Sequence, residues 1–256
     1  MIHAVMRRLV PVLVLALAGT PAFGEPSVDY IREGRWAQEV LATLVVGDPV
    51  WLATPARPRI LALLTEPTGR AKGSVIVVHG LGVHPDWGLN GGVRTDLAEA
   101  GYATLSVQMP VLAADATRDD YRVALPEAGD RIAAAIAYLR ARGVARIAIV
   151  SHSMGATMVD AYLARPDALG IDAWVPVGML RDFAAPPREP VLDVVAEKDL
   201  PEVSAARVSR KPRLPKDGCS REVTIAGTDH YFERRQKELA AAIAAFLDRV
   251  FANGCA

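Results

Sequence analysis

Short apolar runs alternate with longer helical patterns through most of this sequence, and this alternation restricts the fold more than any other feature. Residues 74–79 (SVIVVH) and 146–150 (RIAIV) are continuous apolar runs, which are typical of strands buried on both faces. Helical patterns cover residues 94–100, 130–142 and 154–164, and a glycine directly follows the first two. Strands that alternate with helices form parallel sheets, so the sequence predicts an α/β fold.

The remaining patterns bring the predicted sheet to about eight strands. Further strands are predicted at 103–108, 173–177, 191–195 and 222–226, further helices at 203–210 and 233–251, and an edge hairpin at 50–53 and 59–65. The segment 178–190, which separates two of these strands, is too short for a lid domain. We therefore expect an open site, bordered by the loops at 81–92, 110–122 and 178–190.

Residues 1–24 have the pattern of a cleaved secretory signal. Arg7 and Arg8 precede an apolar run, and Ala22 and Gly24 are the small residues that signal peptidase requires before a cleavage site. The alternative is a membrane anchor, but the apolar run of about ten residues is half the length that a membrane span needs. We therefore expect residues 25–256 to form a single domain that is periplasmic or secreted, without stable membrane insertion after cleavage.

Cys219 and Cys255 both lie in the expected mature chain. An exported protein meets an oxidising compartment, where an even pair of cysteines can form a bridge. This favours one disulfide over two free thiols. Neither cysteine has a CxxC partner or a histidine at ligand spacing, so no metal site is predicted.

The charges of the chain are balanced, with 29 basic and 29 acidic residues. Proteins that bind nucleic acids usually carry a basic patch or stripe, and nothing in this composition indicates one. We therefore expect no nucleic acid as a partner. The expectation of a small-molecule ester as the partner rests on the motifs of the chain instead.

Ser153 lies in the pentapeptide SHSMG (151–155), between a predicted strand and a predicted helix. The pattern G-x-S-x-G places a serine on a sharp turn that exposes its hydroxyl at the edge of a sheet. Ser151 stands where this pattern has its first glycine, which weakens the match. The alternative role for Ser153 is to cap the following helix. The pattern favours Ser153 as a nucleophile.

A serine nucleophile needs a base within hydrogen-bond reach and an acid that orients the base. His230 fits the base, because it follows the last predicted strand; otherwise it is a surface histidine at the start of a helix. For the acid we favour Asp199, which lies just beyond a predicted strand, over Glu197. Asp193 lies inside that strand, and Asp229 adjoins the histidine. The chain order serine, aspartate, histidine is diagnostic among triad folds.

Acyl transfer also needs backbone N–H groups that stabilise an oxyanion. Met154 follows the serine and supplies the first candidate. The second is Leu81, in the turn HGLG (79–82), whose glycines let the chain fold back toward the serine. The alternative is a plain turn that ends a strand.

The chain resembles the α/β-hydrolase superfamily in four segments, HGLG (79–82), SHSMG (151–155), EKD (197–199) and TDHYF (228–232). The segments 77–88 and 97–110 more narrowly resemble a bacterial family of exported, functionally uncharacterised proteins marked by HPDW, here residues 84–87. The resemblance implies an eight-stranded, mostly parallel sheet and the triad Ser153, Asp199 and His230. It implies no substrate.

His84, Asp86 and Trp87 lie in a loop that should border the site. Trp87 could line an acyl pocket, and His84 could bind a polar group of the substrate. We favour a structural role, in which Asp86 caps the next turn and Trp87 fills the interior of the domain.

These residues predict a serine hydrolase that cleaves carboxylic esters, with short acyl groups, through an acyl-enzyme and without a cofactor. One alternative is a binding or scaffolding protein of the cell envelope that keeps the fold without turnover. The complete triad argues against it. An amidase or peptidase that acts on envelope polymers is a third hypothesis.

The first prediction concerns export. We expect the mature protein to begin at Glu25, because Ala22 and Gly24 fit the requirement for small residues better than neighbouring pairs do. N-terminal sequencing of protein from the cell envelope measures this directly. A chain that keeps Met1 and stays in the membrane would indicate an anchor instead.

Overall fold

The computed structural model describes residues 26–255. The predicted signal at 1–24 and its cleavage site therefore lie outside the described residues. Within them, the strands are β1 (Asp48–Leu52), β2 (Ile60–Thr65), β3 (Ser74–Val78), β4 (Ala103–Val107), β5 (Ile147–His152), β6 (Ala173–Val177), β7 (Leu192–Lys198) and β8 (Arg221–Asp229). The helices are α1 (Tyr30–Thr43), α2 (Gly88–Glu99), α3 (Leu125–Ala141), α4 (Met154–Leu163), α5 (Pro201–Arg210) and α6 (Gln236–Asn253).

The strands form one sheet of eight described strands, in the order β1-β2-β4-β3-β5-β6-β7-β8. β1 and β2 pair antiparallel, β2 also runs antiparallel to β4, and the pairs from β4 to β8 are parallel. This confirms the predicted eight-stranded, mostly parallel sheet. The parallel arrangement brings the carboxyl ends of β3, β5, β6, β7 and β8 to one edge of the sheet.

Both faces of the sheet are covered, as the continuous apolar runs predicted. Ile76 and Val78 of β3 pack in a core that includes side chains of α3 and α4. Val75 and Val77 of the same strand pack in a second core with α2 and α6. Because successive side chains point to opposite faces, a strand buried on both faces is apolar throughout.

Helix α1 was not predicted from the sequence. Asp29 caps its N-terminus by accepting a hydrogen bond from the N–H of Arg32 at 2.9 Å. A buried ion pair between Glu33 and Arg131 of α3, 3.0 Å long, attaches the helix to the rest of the domain. These partners are far apart in sequence, so local periodicity could not reveal the contact.

Helix α2 begins at Gly88 rather than at the predicted residue 94. The glycines in its first turns are poor helix formers, which hid this start. Gly91 lies against the preceding loop, where an added Cβ would be 2.7 Å from the carbonyl oxygen of Asp86. The glycine is therefore required by a close contact, and the helix forms in spite of low propensity. Helix α3 likewise begins five residues early, with a proline in its first turn.

No helix or strand lies between β6 and β7 in the part of the chain that the structure describes. This agrees with the predicted absence of a lid domain. Among residues 26–255, no helix is both long enough and apolar enough to cross a membrane.

The structure confirms the disulfide between Cys219 and Cys255, whose Cα atoms are 5.5 Å apart. Cys219 precedes β8 and Cys255 follows α6, so the bond ties the end of the last helix to the edge of the sheet.

We expect the double variant Cys219→Ser, Cys255→Ser to lose about 4 kcal/mol in the free energy of unfolding, because the bond closes a loop of 36 residues in the unfolded chain. Urea denaturation followed by circular dichroism measures the change. A reducing agent should lower the stability of the unsubstituted protein by a similar amount and leave the double variant unaffected. Equal stability of the double variant and the oxidised protein would contradict the prediction.

Candidate active site

Ser153 occupies a sharp turn between β5 and α4. Its backbone has φ 56° and ψ −120°, a positive φ that is unfavourable for a residue with a side chain. Its N–H donates to the carbonyl of Val177 in β6 at 2.9 Å, which helps to hold the turn. Its side chain makes no capping hydrogen bond to α4. The alternative role as a helix cap is therefore not seen.

Two glycines let the neighbouring chain approach this turn. A Cβ on Gly155 would lie 2.4 Å from the carbonyl oxygen of His79, and a Cβ on Gly80 would lie 3.2 Å from the Cβ of Ser153. Gly155 is the second glycine of the sequence pattern. Its role is thus to let α4 start directly against the end of β3.

The structure brings together the three residues predicted as a triad. The Ser153 hydroxyl and Nε2 of His230 are 2.9 Å apart, and Nδ1 of His230 is 2.6 Å from Oδ1 of Asp199. His230 follows β8 and is 5 % exposed, and its ring packs against Gly178. A Cβ on Gly178 would lie 2.9 Å from Cε1 of the ring, so only glycine fits there. The sequence analysis did not identify this requirement.

Asp199 is held in a fixed orientation beside the histidine. Its Oδ2 accepts from the N–H of Ala196 at 3.0 Å, and its Oδ1 accepts from the N–H of Leu200 at 2.8 Å. Burial alone would raise the pKa of Asp199, but the hydrogen bonds from His230 and from these two amides outweigh it and lower the pKa. The carboxyl group therefore stays ionised, and it can orient His230 and stabilise its protonated form.

The competing acids are engaged elsewhere. Glu197 accepts a hydrogen bond from the N–H of Gly227 at 2.7 Å and is exposed. Asp193 forms a fully buried ion pair with Arg210 at 2.9 Å. Asp229 accepts from the N–H of Tyr231. The preference for Asp199 over Glu197 agrees with this geometry.

His152 precedes Ser153 in the chain, and its ring packs against that of His230, with centroids 4.9 Å apart. Its Nε2 donates to the carbonyl of His230 at 2.9 Å, because a carbonyl oxygen can only accept. Burial lowers the pKa of His152 to about 4. A neutral His152 therefore supports the backbone of His230 without adding a charge.

Leu81 and Met154, the predicted oxyanion donors, both line a cavity of about 480 Å³ that contains Ser153 and His230. No backbone carbonyl in residues 26–255 accepts a hydrogen bond from the N–H of either residue. Buried His79 fixes the turn that carries Leu81, because its Nε2 accepts from the N–H of Met109 at 2.8 Å and its Nδ1 donates to the carbonyl of Gly80 at 2.9 Å.

We call this cavity the serine cavity. Its walls come from the three loops expected from the sequence, and from residues beside the acid and the base. The apolar and aromatic side chains that line it include Leu81, Val83, Trp87, Leu180, Leu200 and Tyr231. The sequence analysis missed Leu180 and Tyr231, although Tyr231 directly follows the predicted base.

Trp87 borders the serine cavity, which corrects the favoured expectation that it fills the interior. It is 41 % exposed, and its ring meets that of Tyr231 edge to face at 6.2 Å. Asp86 does not cap α2; its Oδ1 accepts from Nε of Arg94 at 2.7 Å. His84 is not among the residues that line this cavity. Its ring packs against Trp36 of α1, the helix that was not predicted from the sequence.

Among the described residues, no group of three or more histidine, cysteine, aspartate or glutamate side chains is arranged to hold a metal ion.

One protein-family description, "Protein of unknown function (DUF3530)", matches residues 48–129 of the chain. This region contains β1 to β4 and the HPDW segment, and it ends before Ser153. No curated protein matches the sequence.

Solved structures with a similar fold include a dienelactone hydrolase from Anabaena variabilis, with 22 % identity and a TM-score of 0.65 over 79 % of this chain and 97 % of that one. Est1E from Butyrivibrio proteoclasticus has 18 % identity and a TM-score of 0.63, over 81 % of this chain and 100 % of its own. XC6422 from Xanthomonas campestris, an α/β serine hydrolase without a lid, has 18 % identity and a TM-score of 0.64, over 80 % and 95 %. These likenesses show that the chain has the α/β-hydrolase fold.

The geometry predicts unequal effects at the two candidate acids. We expect Asp199→Asn to lower the rate of ester hydrolysis about a thousand-fold or more, because an amide there disrupts the tautomer and orientation of His230. Glu197→Gln should change the rate little, since Glu197 binds only the backbone of β8. Steady-state kinetics with a chromogenic acetate ester measures both. A larger loss in Glu197→Gln would show that the acid is wrongly assigned.

The buried histidines predict a dependence of stability on pH. Burial lowers the pKa of His79 to about 3 and that of His152 to about 4, against an ordinary value of 6.5. As the pH falls from 6.5 toward 4, these side chains take up protons in the unfolded chain but not in the folded one. The free energy of unfolding should therefore fall by about 1.4 kcal/mol per pH unit for each histidine.

Urea denaturation between pH 4.5 and 6.5 measures this slope. His152→Gln should reduce the slope by about 1.4 kcal/mol per pH unit relative to the unsubstituted protein, because one of the two groups is removed. An identical slope in both proteins would mean that His152 titrates normally in the fold.

Proposed function

We propose that this chain is an exported serine hydrolase that cleaves carboxylic esters through an acyl-enzyme. The observation that carries the proposal is the hydrogen-bonded series from the Ser153 hydroxyl to His230 and on to Asp199, with distances of 2.9 and 2.6 Å. In this proposal residues 1–24 are removed on export, and residues 25–256 act as one domain in the periplasm or outside the cell, without a cofactor.

The reaction follows from the geometry of the triad. The Ser153 oxygen attacks the ester carbonyl while Nε2 of His230 takes its proton, and Asp199 stabilises the imidazolium. The amides of Leu81 and Met154 donate to the oxyanion of the tetrahedral intermediate. The carbon–oxygen bond to the alcohol then breaks, and His230 gives its proton to the departing oxygen. Water, activated by His230, attacks the acyl-enzyme, and the acid leaves as Ser153 regains its proton.

Proteins with a similar fold support the proposal that this chain is an ester hydrolase. The Anabaena relative is described as a dienelactone hydrolase, and the Xanthomonas relative as a serine hydrolase without a lid. In another structure of the Butyrivibrio relative, ferulic acid is bound. These proteins share the fold with this chain at low identity, so the triad geometry carries the proposal and the likeness supports it.

Short acyl groups suit the serine cavity best. The cavity measures about 480 Å³ and is lined in part by apolar side chains. No lid domain extends its apolar wall among residues 26–255. A long chain would therefore leave much of its apolar surface in water, where it gains no binding energy.

One observation supports export, and another supports a relation to the bacterial proteins that carry the HPDW segment. A disulfide such as that between Cys219 and Cys255 is typical of oxidising compartments outside the cytoplasm. The HPDW segment lies within the region that matches the family of unknown function. We infer that this chain belongs to the bacterial exported proteins that carry this segment.

Labelling with a fluorophosphonate probe tests the proposed nucleophile. The purified mature protein should form an adduct on Ser153, identified by mass spectrometry of peptides. Ser153→Ala should abolish labelling, and Ser204→Ala, at an exposed serine on α5, should not affect it. An unlabelled Ser153 in folded protein would contradict the proposal and favour a scaffolding role.

Kinetics of the triad variants give a second, independent prediction. Ser153→Ala and His230→Ala should each lower kcat by about a thousand-fold or more, and the double variant should lose little beyond this, because triad members act as a unit. Acetate and butyrate esters should react faster than long-chain esters, without activation at an oil–water interface. Additive losses in the double variant would show that the two residues act separately.

A further inference from the structure

A second cavity of about 410 Å³ adjoins the serine cavity. The two cavities share Thr117, Arg118, Met154 and Leu180 in their walls. Six of the eight residues that line the second cavity are polar or charged. We call it the polar cavity, and the groups that define it are Thr157, Arg118, Arg181, Asp119 and Glu202.

Thr157 is the buried hydroxyl of the polar cavity. It lies one turn after Ser153 on α4, and it is 8 % exposed. Its Oγ1 is buried and has no hydrogen-bond partner among the described residues. Buried polar groups are nearly always paired, because an unpaired one has lost its contacts with water. Thr157 also lines the polar cavity, so rotation of its side chain about χ1 would let Oγ1 bond to a ligand hydroxyl bound there.

The charged side chains of the polar cavity neutralise each other in pairs. Nη1 of Arg118 binds Glu202 at 2.9 Å, and Nη2 of Arg181 binds Asp119 at 3.2 Å. The hydrogen bonds formed with described residues use one nitrogen of each guanidinium, so further N–H donors face the solvent beside carboxylate acceptors. The wall therefore offers donors and acceptors without a net charge. Hydroxyl groups, which donate and accept at once, fit this pattern better than an anion does.

The two cavities thus suit opposite halves of one ester. Leu81, Val83 and Trp87 give the serine cavity apolar walls for an acyl group. From these observations we propose that the substrate is an ester of a polyhydroxylated alcohol, such as an O-acylated sugar. Its alcohol occupies the polar cavity and bonds to Thr157, and its acyl group occupies the serine cavity. This inference rests on the proposed function, whose serine it uses.

Two acetate esters of similar ring size test the preference. Methyl 6-O-acetylglucopyranoside and cyclohexylmethyl acetate both attach a six-membered ring to the acetate through one CH₂ group, but only the sugar carries hydroxyls. We expect kcat/KM, measured by acid release in a pH-stat, to be about tenfold higher or more for the sugar ester, because sites built for hydroxyls reject analogues that lack them.

Substitution of Thr157 tests whether the preference for the sugar ester depends on the polar cavity. Thr157→Val has nearly the same shape without the hydroxyl, and it should lower the ratio of kcat/KM for the two esters about tenfold. Thr157→Ser keeps a hydroxyl and should retain most of the ratio. A purely structural role of Thr157 would lower both rates together and leave the ratio intact.

Arg181 and Arg122 form a matched pair of variants. Both bind Oδ1 of Asp119, at 3.2 and 3.3 Å, but only Arg181 lines the polar cavity. Arg181→Gln should lower the ratio for the two esters, and Arg122→Gln should leave it unchanged. Equal effects of the two variants would overturn the assignment of the polar cavity to the alcohol.

The remaining outcomes separate this inference from the proposed function. If the fluorophosphonate labels Ser153 but the cyclohexylmethyl ester reacts as fast as the sugar ester, or neither reacts, the inference fails and the serine hydrolase stands. Faster hydrolysis of 2-acetoxyacetate, an anionic ester, than of the sugar ester would show that the arginines select a charge instead. If Ser153 is not labelled and neither ester reacts, both proposals fail.

Discussion

The positive φ of Ser153 is the constraint on which the active-site edge of the sheet depends. A serine at φ 56° is strained, so the surrounding structure must hold it there. The hydrogen bond from Ser153 N–H to the carbonyl of Val177 attaches the turn to β6. Gly155 lets α4 begin so close to the His79 carbonyl oxygen that any side chain at this position would clash with it. Three neighbouring strands thus meet at one serine, whose hydroxyl is directed at His230.

The same edge is stiffened by buried histidines that stay neutral. His79 connects the end of β3 to Met109, just after β4, and His152 supports the carbonyl of His230. Each ring donates from one nitrogen, and burial keeps both uncharged at neutral pH. A protonated His152 would place a positive charge beside His230 and oppose the imidazolium that the proposed reaction forms. The low pKa of His152 therefore suits the electrostatics of that reaction.

The parts of this fold that were predicted are those whose signals are local. The apolar runs of β3 and β5 showed strands buried on both faces, and the short segments around Ser153, Asp199 and His230 indicated that each of these residues follows a strand. The attachment of helix α1 to the domain could not be predicted, because the Glu33–Arg131 ion pair joins distant segments. The polar cavity was missed for the same reason, since no sequence pattern brings side chains from separate loops and helices together.

Ser151 remains as the departure from the G-x-S-x-G pattern, and the structure gives it a physical reason. It is the fifth residue of β5, fully buried, and its hydroxyl accepts a hydrogen bond from Nε1 of Trp174 in β6 at 2.9 Å. Trp174 is 1 % exposed, so its indole N–H has no access to water there. A glycine at 151 would leave that donor unpaired, which costs about 1–3 kcal/mol. Ser151 therefore has less backbone freedom than a glycine would have, but it supplies the acceptor that the buried Trp174 indole requires. This hydrogen bond does not involve the triad.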